Sequence, residues 1–351
     1  MKKTIAVLFG GCSSEHEISR LSAATVLRNL SREKYDVLSV GITKSGRWFL
    51  TEASPEAVEN GEWENSPLNR QAFLSPDRSV HGLVLPGAEK MLRVDAVIPV
   101  LHGKNGEDGT VQGLLQLAGI PFVGCAALAS AVCMDKAVSH TLLDAAGIRQ
   151  AKYLWFYASD YAGEAETVRA RILSELGGYP VFVKPANAGS SVGVSRVESA
   201  GELDAAVAKA AHEDWRVVIE ECIVGREVEC AVLGNEKPEA ALVGEIGASA
   251  AFYDYDDKYI NGTSRLYIPA RLTPEVIEEV RRTACRAYRL LGCEGLARVD
   301  FFVRNETEII LNELNTLPGF TSISMYPKLW ESCGVSCPEL LDRLIDLAFA
   351  R

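Results

Sequence analysis

The chain has 351 residues, 48% of them hydrophobic and 24% charged, with a net charge of -11. This is ordinary composition for a soluble globular protein, and the length calls for two or three domains. The acidic balance excludes a general binder of nucleic acid or of anionic membranes, while local lysines leave small anions open as ligands.

The first element is the apolar run TIAVLFGG (residues 4–11), predicted to be a buried strand. With two lysines before it and a cysteine after it, the run mimics an export signal, but its apolar core is shorter than the ~7–15 residues such a signal needs. SSEHEISRLSAATVLRNL follows, with Ser14 and Glu17 spaced as a capping box and Ile18, Leu21, Ala24 and Val26 as a helical stripe. DVLSVGIT is a second strand, and this strand–helix–strand opening predicts an α/β fold with a parallel sheet. Residues 44–87 show little periodicity and read as loops with a small hairpin. VDAVIPVLHG is another buried strand, ending at His102 and the glycine loop GKNGEDG.

At Cys125 the texture turns Ala-rich and helical, which places a boundary there. A segment of strands and helix continues to Val224. The aromatic-acidic stretch AFYDYDDKYINGTSRLY (residues 251–267) fits neither helix nor strand period and reads as a mobile loop or lid. A helix then starts at Thr273-Pro274 and stops at Gly292. Nine cysteines with no Cys-x-x-Cys pair are expected to be reduced, buried thiols of a cytoplasmic protein. No apolar run reaches the ~18 residues of a membrane span.

Four stretches carry chemistry. In VFVKPANAGSSVGVSRV, Lys184 interrupts a strand-like run, and a Gly/Ser loop joins it to a second strand. A lysine there is costly to bury without an anionic partner, and the loop exposes N–H groups and hydroxyls to an anion. The loop also fits the hydrolase pattern G-x-S-x-G around Ser191, but strand-like alternation follows it and only His212 lies beyond, so a hydrolase is disfavoured. In RVDFFVRNETEIILNELNTLPGF, two strands flank a turn at residues 304–307. Alternation puts Arg298, Asp300 and Phe302 on one face, and Glu313 and Asn315 on one face of the returning strand. With Val303 paired near Glu308, Asp300 lies close to Glu313. Carboxylates and an amide oxygen are hard ligands suited to Mg²⁺. GGCSSEHE enters a helix N-terminus, with Glu15 in the first turn. VLHGKNGEDG places His102 where a buried strand meets glycines.

These stretches, in this order and together with GCAALASAVCMDK, IEECIVGREVE and FYDYDDKY, resemble the D-alanine–D-alanine ligases of the ATP-grasp superfamily. The resemblance covers nearly the whole chain. It implies a three-domain ATP-grasp fold: a Rossmann-like N-terminal domain (1–124), a central domain (125–224) and a C-terminal domain (225–351). The implied activity joins two D-alanines through a D-alanyl phosphate. Lys136, Lys184 and Lys258 would meet ATP phosphates, Glu220 the adenine amino group, the backbone of Glu221 and Ile223 the base, and Glu227 the ribose. Asp300, Glu313 and Asn315 would hold two Mg²⁺ ions. Mn²⁺ is an admissible substitute, and a monovalent cation an admissible addition. Arg298 and the N–H of Gly319 would stabilise the tetrahedral intermediate. Glu15 and His102 would bind the first D-alanine, Ser190 and Tyr259 would link Glu15 to the mobile loop, and Ser324 would meet the second substrate, with Met325 as an apolar wall. The expected assembly is a homodimer. Two other readings stay open: a ligase whose second substrate is D-serine or D-lactate, and a non-catalytic nucleotide-binding module.

Overall fold

The computed structural model describes residues 2–88, 91–247 and 265–351. In chain order the strands are β1 (Lys3–Gly10), β2 (Tyr35–Ile42), β3 (Trp48–Thr51), β4 (Arg70–Gln71), β5 (Phe73–Leu74), β6 (Gly82–Val84), β7 (Leu92–Arg93), β8 (Ala96–Val100), β9 (Tyr153–Tyr157), β10 (Val181–Pro185), β11 (Ser195–Val197), β12 (Arg216–Glu221), β13 (Arg226–Leu233), β14 (Glu239–Gly247), β15 (Arg265–Tyr267), β16 (Leu296–Arg304) and β17 (Glu308–Asn315). The helices are α1 (His16–Asn29), α2 (Pro55–Asn60), α3 (Thr110–Ala118), α4 (Ala127–Met134), α5 (Lys136–Ala145), α6 (Tyr161–Arg171), α7 (Leu203–Glu213), α8 (Pro274–Leu290), α9 (Met325–Ser332) and α10 (Cys337–Phe349).

The first sheet has the order β4-β3-β2-β1-β8, with β1 parallel to both β2 and β8. Strand periodicity divides β1 between two cores. Ile5, Val7 and Phe9 pack with α1 and the C-terminal helices, while Ala6 and Leu8 pack with Val111, Leu115 and Ala118 of α3. Residues 44–87 are more ordered than expected: β3 and β4 extend the first sheet, and β5 and β6 form a small sheet with β7, which follows the stretch. Their strands are two to four residues long, too short for a period to show.

The second sheet, β11-β10-β12-β9, and the third, β15-β14-β13-β16-β17, are antiparallel throughout. Val181, Val183, Val217 and Ile219 turn to one side of the second sheet, against α6 and α7. Val228, Cys230, Val299, Phe301 and Val303 turn to one side of the third, against α8. The alternate residues of both sheets border a common cavity. The nine cysteines are all free thiols; Cys125, Cys133, Cys230 and Cys293 are buried, but Cys12 and Cys333 are exposed rather than buried. Among the described residues no helix is long and apolar enough to cross a membrane.

Two local expectations are corrected. Ser14 and Glu17 form no capping box: Glu15 occupies the N-cap without a side-chain cap bond, and Glu17 pairs with Lys44. The hairpin pairs Arg304, not Val303, with Glu308. Asn305 and Glu306 turn the chain in the left-handed region, at φ 52° and 63°.

Candidate active site

The cavity has a volume of about 540 Å³ and is bordered by the loop after β10, the facing sides of the second and third sheets, and the ends of β8 and α1. Lys184 projects into it from β10, as Phe182 does two positions earlier, while Val181 and Val183 turn to the core on the other side of the sheet. Its Nζ donates to Glu220 Oε2 at 2.6 Å across the β10–β12 pair. Burial pulls the Lys184 ammonium down, but Glu220 outweighs it and holds it above the ordinary lysine value. Burial likewise pushes the Glu220 carboxyl up, but Lys184 and then His140 outweigh it and hold it well below the usual carboxylate range. His140 was not singled out in the sequence: Nε2 lies 3.0 Å from Glu220 Oε1, and its ring stacks on Tyr153 at 4.3 Å. Gln150 Nε2 donates to the His140 carbonyl and to Asp144, which turns Oε1 toward His140 Nδ1 at 2.6 Å. Both Glu220 oxygens are thus engaged by side chains of this chain. Lys136, at the first position of α5, donates to the Ala188 carbonyl at 2.9 Å and lies 3.7 Å from Glu313. Glu221 accepts from the Lys152 N–H at 2.9 Å, and Ile223 and Glu227 border the cavity nearby.

The second wall carries the acidic pair. Asp300 on β16 lies directly opposite Glu313 on β17, and Arg298 opposite Asn315. A bulge between the Asp300 and Phe301 pairs produces this register: Asn312 is the extra residue, so Leu311 and Leu314 both face the core with two polar residues between them. Arg298 grips Asp300 side-on, Nε to Oδ1 at 2.7 Å and Nη2 to Oδ2 at 2.6 Å, and Asn315 Nδ2 donates to Asp300 Oδ2 at 2.9 Å.

The third wall joins the first sheet to the loop 186–194. Ser190 Oγ donates to Glu15 Oε1. Ser190 and Ser191 hold left-handed backbones, φ 48° and 59°, which few non-glycine residues adopt. Gly103 at φ +69° lets the chain pass Glu15; a Cβ there would stand 2.5 Å from Glu15 Oε2. His102 is buried. Its Nε2 lies 3.1 Å from Ser22 Oγ, and its Nδ1 lies 3.1 Å from the Leu317 carbonyl and 3.4 Å from Glu107 Oε1. Burial lowers the His102 pKa, but Glu107, Glu15 and the Leu317 carbonyl outweigh it and leave it raised. Glu107 sits within the glycine loop read from the sequence, but nothing in its spacing singled it out. Ser324 Oγ accepts from the Thr321 N–H at 3.0 Å, and a Cβ on Gly319 would stand 2.8 Å from it. Met325 borders the cavity but is chiefly a core residue, packed in one cluster with Leu329 and Ala241. The structure therefore brings Glu15, His102, Lys136, Lys184, Ser190, Glu220, Glu221, Ile223, Glu227, Arg298, Glu313, Asn315, Gly319, Ser324 and Met325 to one cavity, with Asp300 bonded to Arg298 and Asn315 in its wall. Lys258 and Tyr259, with most of the 251–267 loop, lie outside the described residues.

Residues 4–125 match the family described as D-ala D-ala ligase N-terminus, and residues 142–346 match D-ala D-ala ligase C-terminus. A D-alanine--D-alanine ligase of Acetivibrio thermocellus is 51% identical over all of this chain and 96% of its own length. That of Clostridium acetobutylicum is 47% identical, over 100% and 99%. Among solved structures, the VanG D-Ala:D-Ser ligase from Enterococcus faecalis has a TM-score of 0.91 at 43% identity, covering 99% of this chain and 100% of that one. The D-alanine-D-alanine ligase from Coxiella burnetii has a TM-score of 0.87 at 37% identity, covering 100% and 96%. With both halves matched and relatives of this identity spanning its length, the chain belongs to the D-alanine–D-alanine ligase family, with the ATP-grasp fold.

Proposed function

We propose that the chain joins two D-alanines to D-alanyl-D-alanine with cleavage of ATP, through a D-alanyl phosphate, and supplies the dipeptide for peptidoglycan precursors in the cytoplasm. The observation that carries this reading is one cavity faced by two part-buried lysines, an opposed Asp–Glu pair with an arginine, and the Glu15–Ser190 contact. A carboxylate attacking ATP is anion on anion, so cations must neutralise the phosphates before bonds change. Lys136 and Lys184 would do so. Glu15 would hold the ammonium of the first D-alanine, with Ser190 fixing the carboxylate and His102 beside it. Arg298 and the Gly319 N–H would meet the oxyanion after the second amine attacks, and Ser324 the second carboxylate.

Asp300, Glu313 and Asn315 offer hard oxygen donors from adjacent ladder positions, which fits Mg²⁺, or Mn²⁺ in its place. Among the described residues no three His, Cys, Asp or Glu side chains form a self-sufficient metal cage. Two carboxylates and an amide oxygen would hold the metal. Bound there, it supplies charge neutralisation of the transferred phosphoryl group. In this reading the three larger sheets belong to domains 1–124, 125–224 and 225–351, Glu220, Glu221, Ile223 and Glu227 line the nucleotide, Lys258 and Tyr259 act from the 251–267 loop, and the protein is a homodimer.

A second reading, D-serine as second substrate, is favoured by the VanG likeness. Met325 opposes it, since a thioether offers the D-serine hydroxyl no strong partner. The test supplies ATP, Mg²⁺ and D-alanine with D-serine or D-lactate at equal concentration and weighs the products. D-Alanyl-D-alanine should dominate, with some D-alanyl-D-serine, because an apolar pocket rejects an added hydroxyl only about 10²-fold. A dominant D-alanyl-D-serine product would establish the second reading, and no D-alanine-dependent ADP release would refute both.

A further inference from the structure

Strand β13 turns a second acidic residue toward the cavity. Glu229 lies two positions beyond Glu227 and directly opposite Asp300. It is 7% exposed and stands 3.1 Å from Arg298 Nε. The same guanidinium is held side-on by Asp300. One cation thus serves two carboxylates. Across the sheet, Glu229, Asp300 and Glu313 form a row on three neighbouring strands, with Arg298 against the first two and Lys136 at 3.7 Å from the third. A row of three anions draws further positive charge, and the oxygen donors of Asp300 and Glu313 would suit a divalent ion. Arg298 and that ion compete for the oxygens of Asp300. A guanidinium that lost Asp300 with no other anchor would swing out of aim.

We propose that Glu229 is a positioning residue that receives Arg298 when Asp300 turns to the metal, so that the guanidinium hands over from Asp300 to Glu229 and keeps its Nη groups on the cavity. Glu229 Oε2 already lies 3.1 Å from Nε, whose one N–H is now given to Asp300; turned to Glu229 instead, Nε would leave both terminal nitrogens for the developing oxyanion. Its place in a buried wall, on the strand opposite Asp300, makes the handover a small rotation rather than a new path. The inference rests on the reading of Asp300 as a metal ligand and Arg298 as an oxyanion donor.

The test measures Mn²⁺ binding to the ADP-bound protein by water-proton relaxation, alongside steady-state kinetics. In Glu229→Gln, Arg298 keeps its hold on Asp300 and competes with the ion. Mn²⁺ affinity should fall several-fold, and kcat roughly 10- to 100-fold, as expected of a misaimed group, with the KM for ATP little changed. Adding Arg298→Ala to Glu229→Gln should restore Mn²⁺ affinity, because the competitor is gone. Unchanged Mn²⁺ affinity in Glu229→Gln overturns the handover. An equal loss in the double variant also overturns it, since Glu229 would then act on the ion directly. Should Glu229→Gln fail to fold, Glu229→Asp keeps the charge at shorter reach and should show the same pattern at smaller size. Asp300→Asn separates the two ideas: if it leaves Mn²⁺ binding intact, the metal-site reading itself fails, whereas if it abolishes binding while Glu229→Gln changes nothing, only the handover fails.

Discussion

Asp300 shows how much one side chain carries. It accepts three hydrogen bonds, two from Arg298 and one from Asn315, and faces Glu313. Asp300→Asn keeps the shape but removes the charge. Turnover should fall by about 10²-fold or more, because the metal that this carboxylate would help hold supplies much of the charge stabilisation of the transition state. Turnover near the parent's at saturating Mg²⁺ would exclude a metal role. His102 adds a pH dependence. Its pKa is raised above the ordinary 6.5: burial opposes this, but Glu107 outweighs it. Stability from its proton is therefore fully present below 6.5 and is lost as pH rises through the higher folded value. The KM for the first D-alanine should climb over that same alkaline limb. In His102→Gln it should be high and flat there, and a limb that survives the substitution would belong to another group.

The β16–β17 hairpin shows what the sequence could and could not tell. Charges breaking an apolar alternation made Lys184, Asp300 and Glu313 legible, because a buried charge requires a partner. The bulge was not legible, since a period of two has no place for an extra residue, and the expected Val303–Glu308 pairing was one residue off. Partners distant in sequence were equally hidden: His140 lies 80 residues from Glu220, and no pattern within α5 marks it. Deleting Asn312 should keep the Asp300–Glu313 and Arg298–Asn315 pairs and the apolar alternation, but remove the local bend. The protein should fold, with kcat reduced at least about tenfold by misplaced Glu313 and Asn315. An unchanged kcat in a folded protein would mean that the bulge does not aim them.

Across the whole molecule, the first and last segments of the chain share one core. Ile5, Val7 and Phe9 of β1 pack in the same cluster as Leu341, Leu344 and Ile345 of α10, and Tyr35 Oη donates to Asp342 at 2.9 Å. The cavity depends on this union, because Glu15 and His102 follow β1 and β8 of the first sheet, while Arg298 stands on β16 of the third and Gly319 follows β17. A core built this way should open as a unit. Ile345 is fully buried. Ile345→Ala leaves a cavity and should cost about 2–5 kcal/mol. Hydrogen exchange of the variant should show amides of β1 and α1 losing protection together with those of α10. The second sheet has its own core, around Val181, Val183, Val217 and Ile219, and should keep its protection longer. The kinetic counterpart is a KM for the first D-alanine that rises with temperature before nucleotide binding is lost. If α10 exchanged freely while β1 stayed protected, the two ends would be separable, and the N-terminal binding wall would be stable without the helix that covers it.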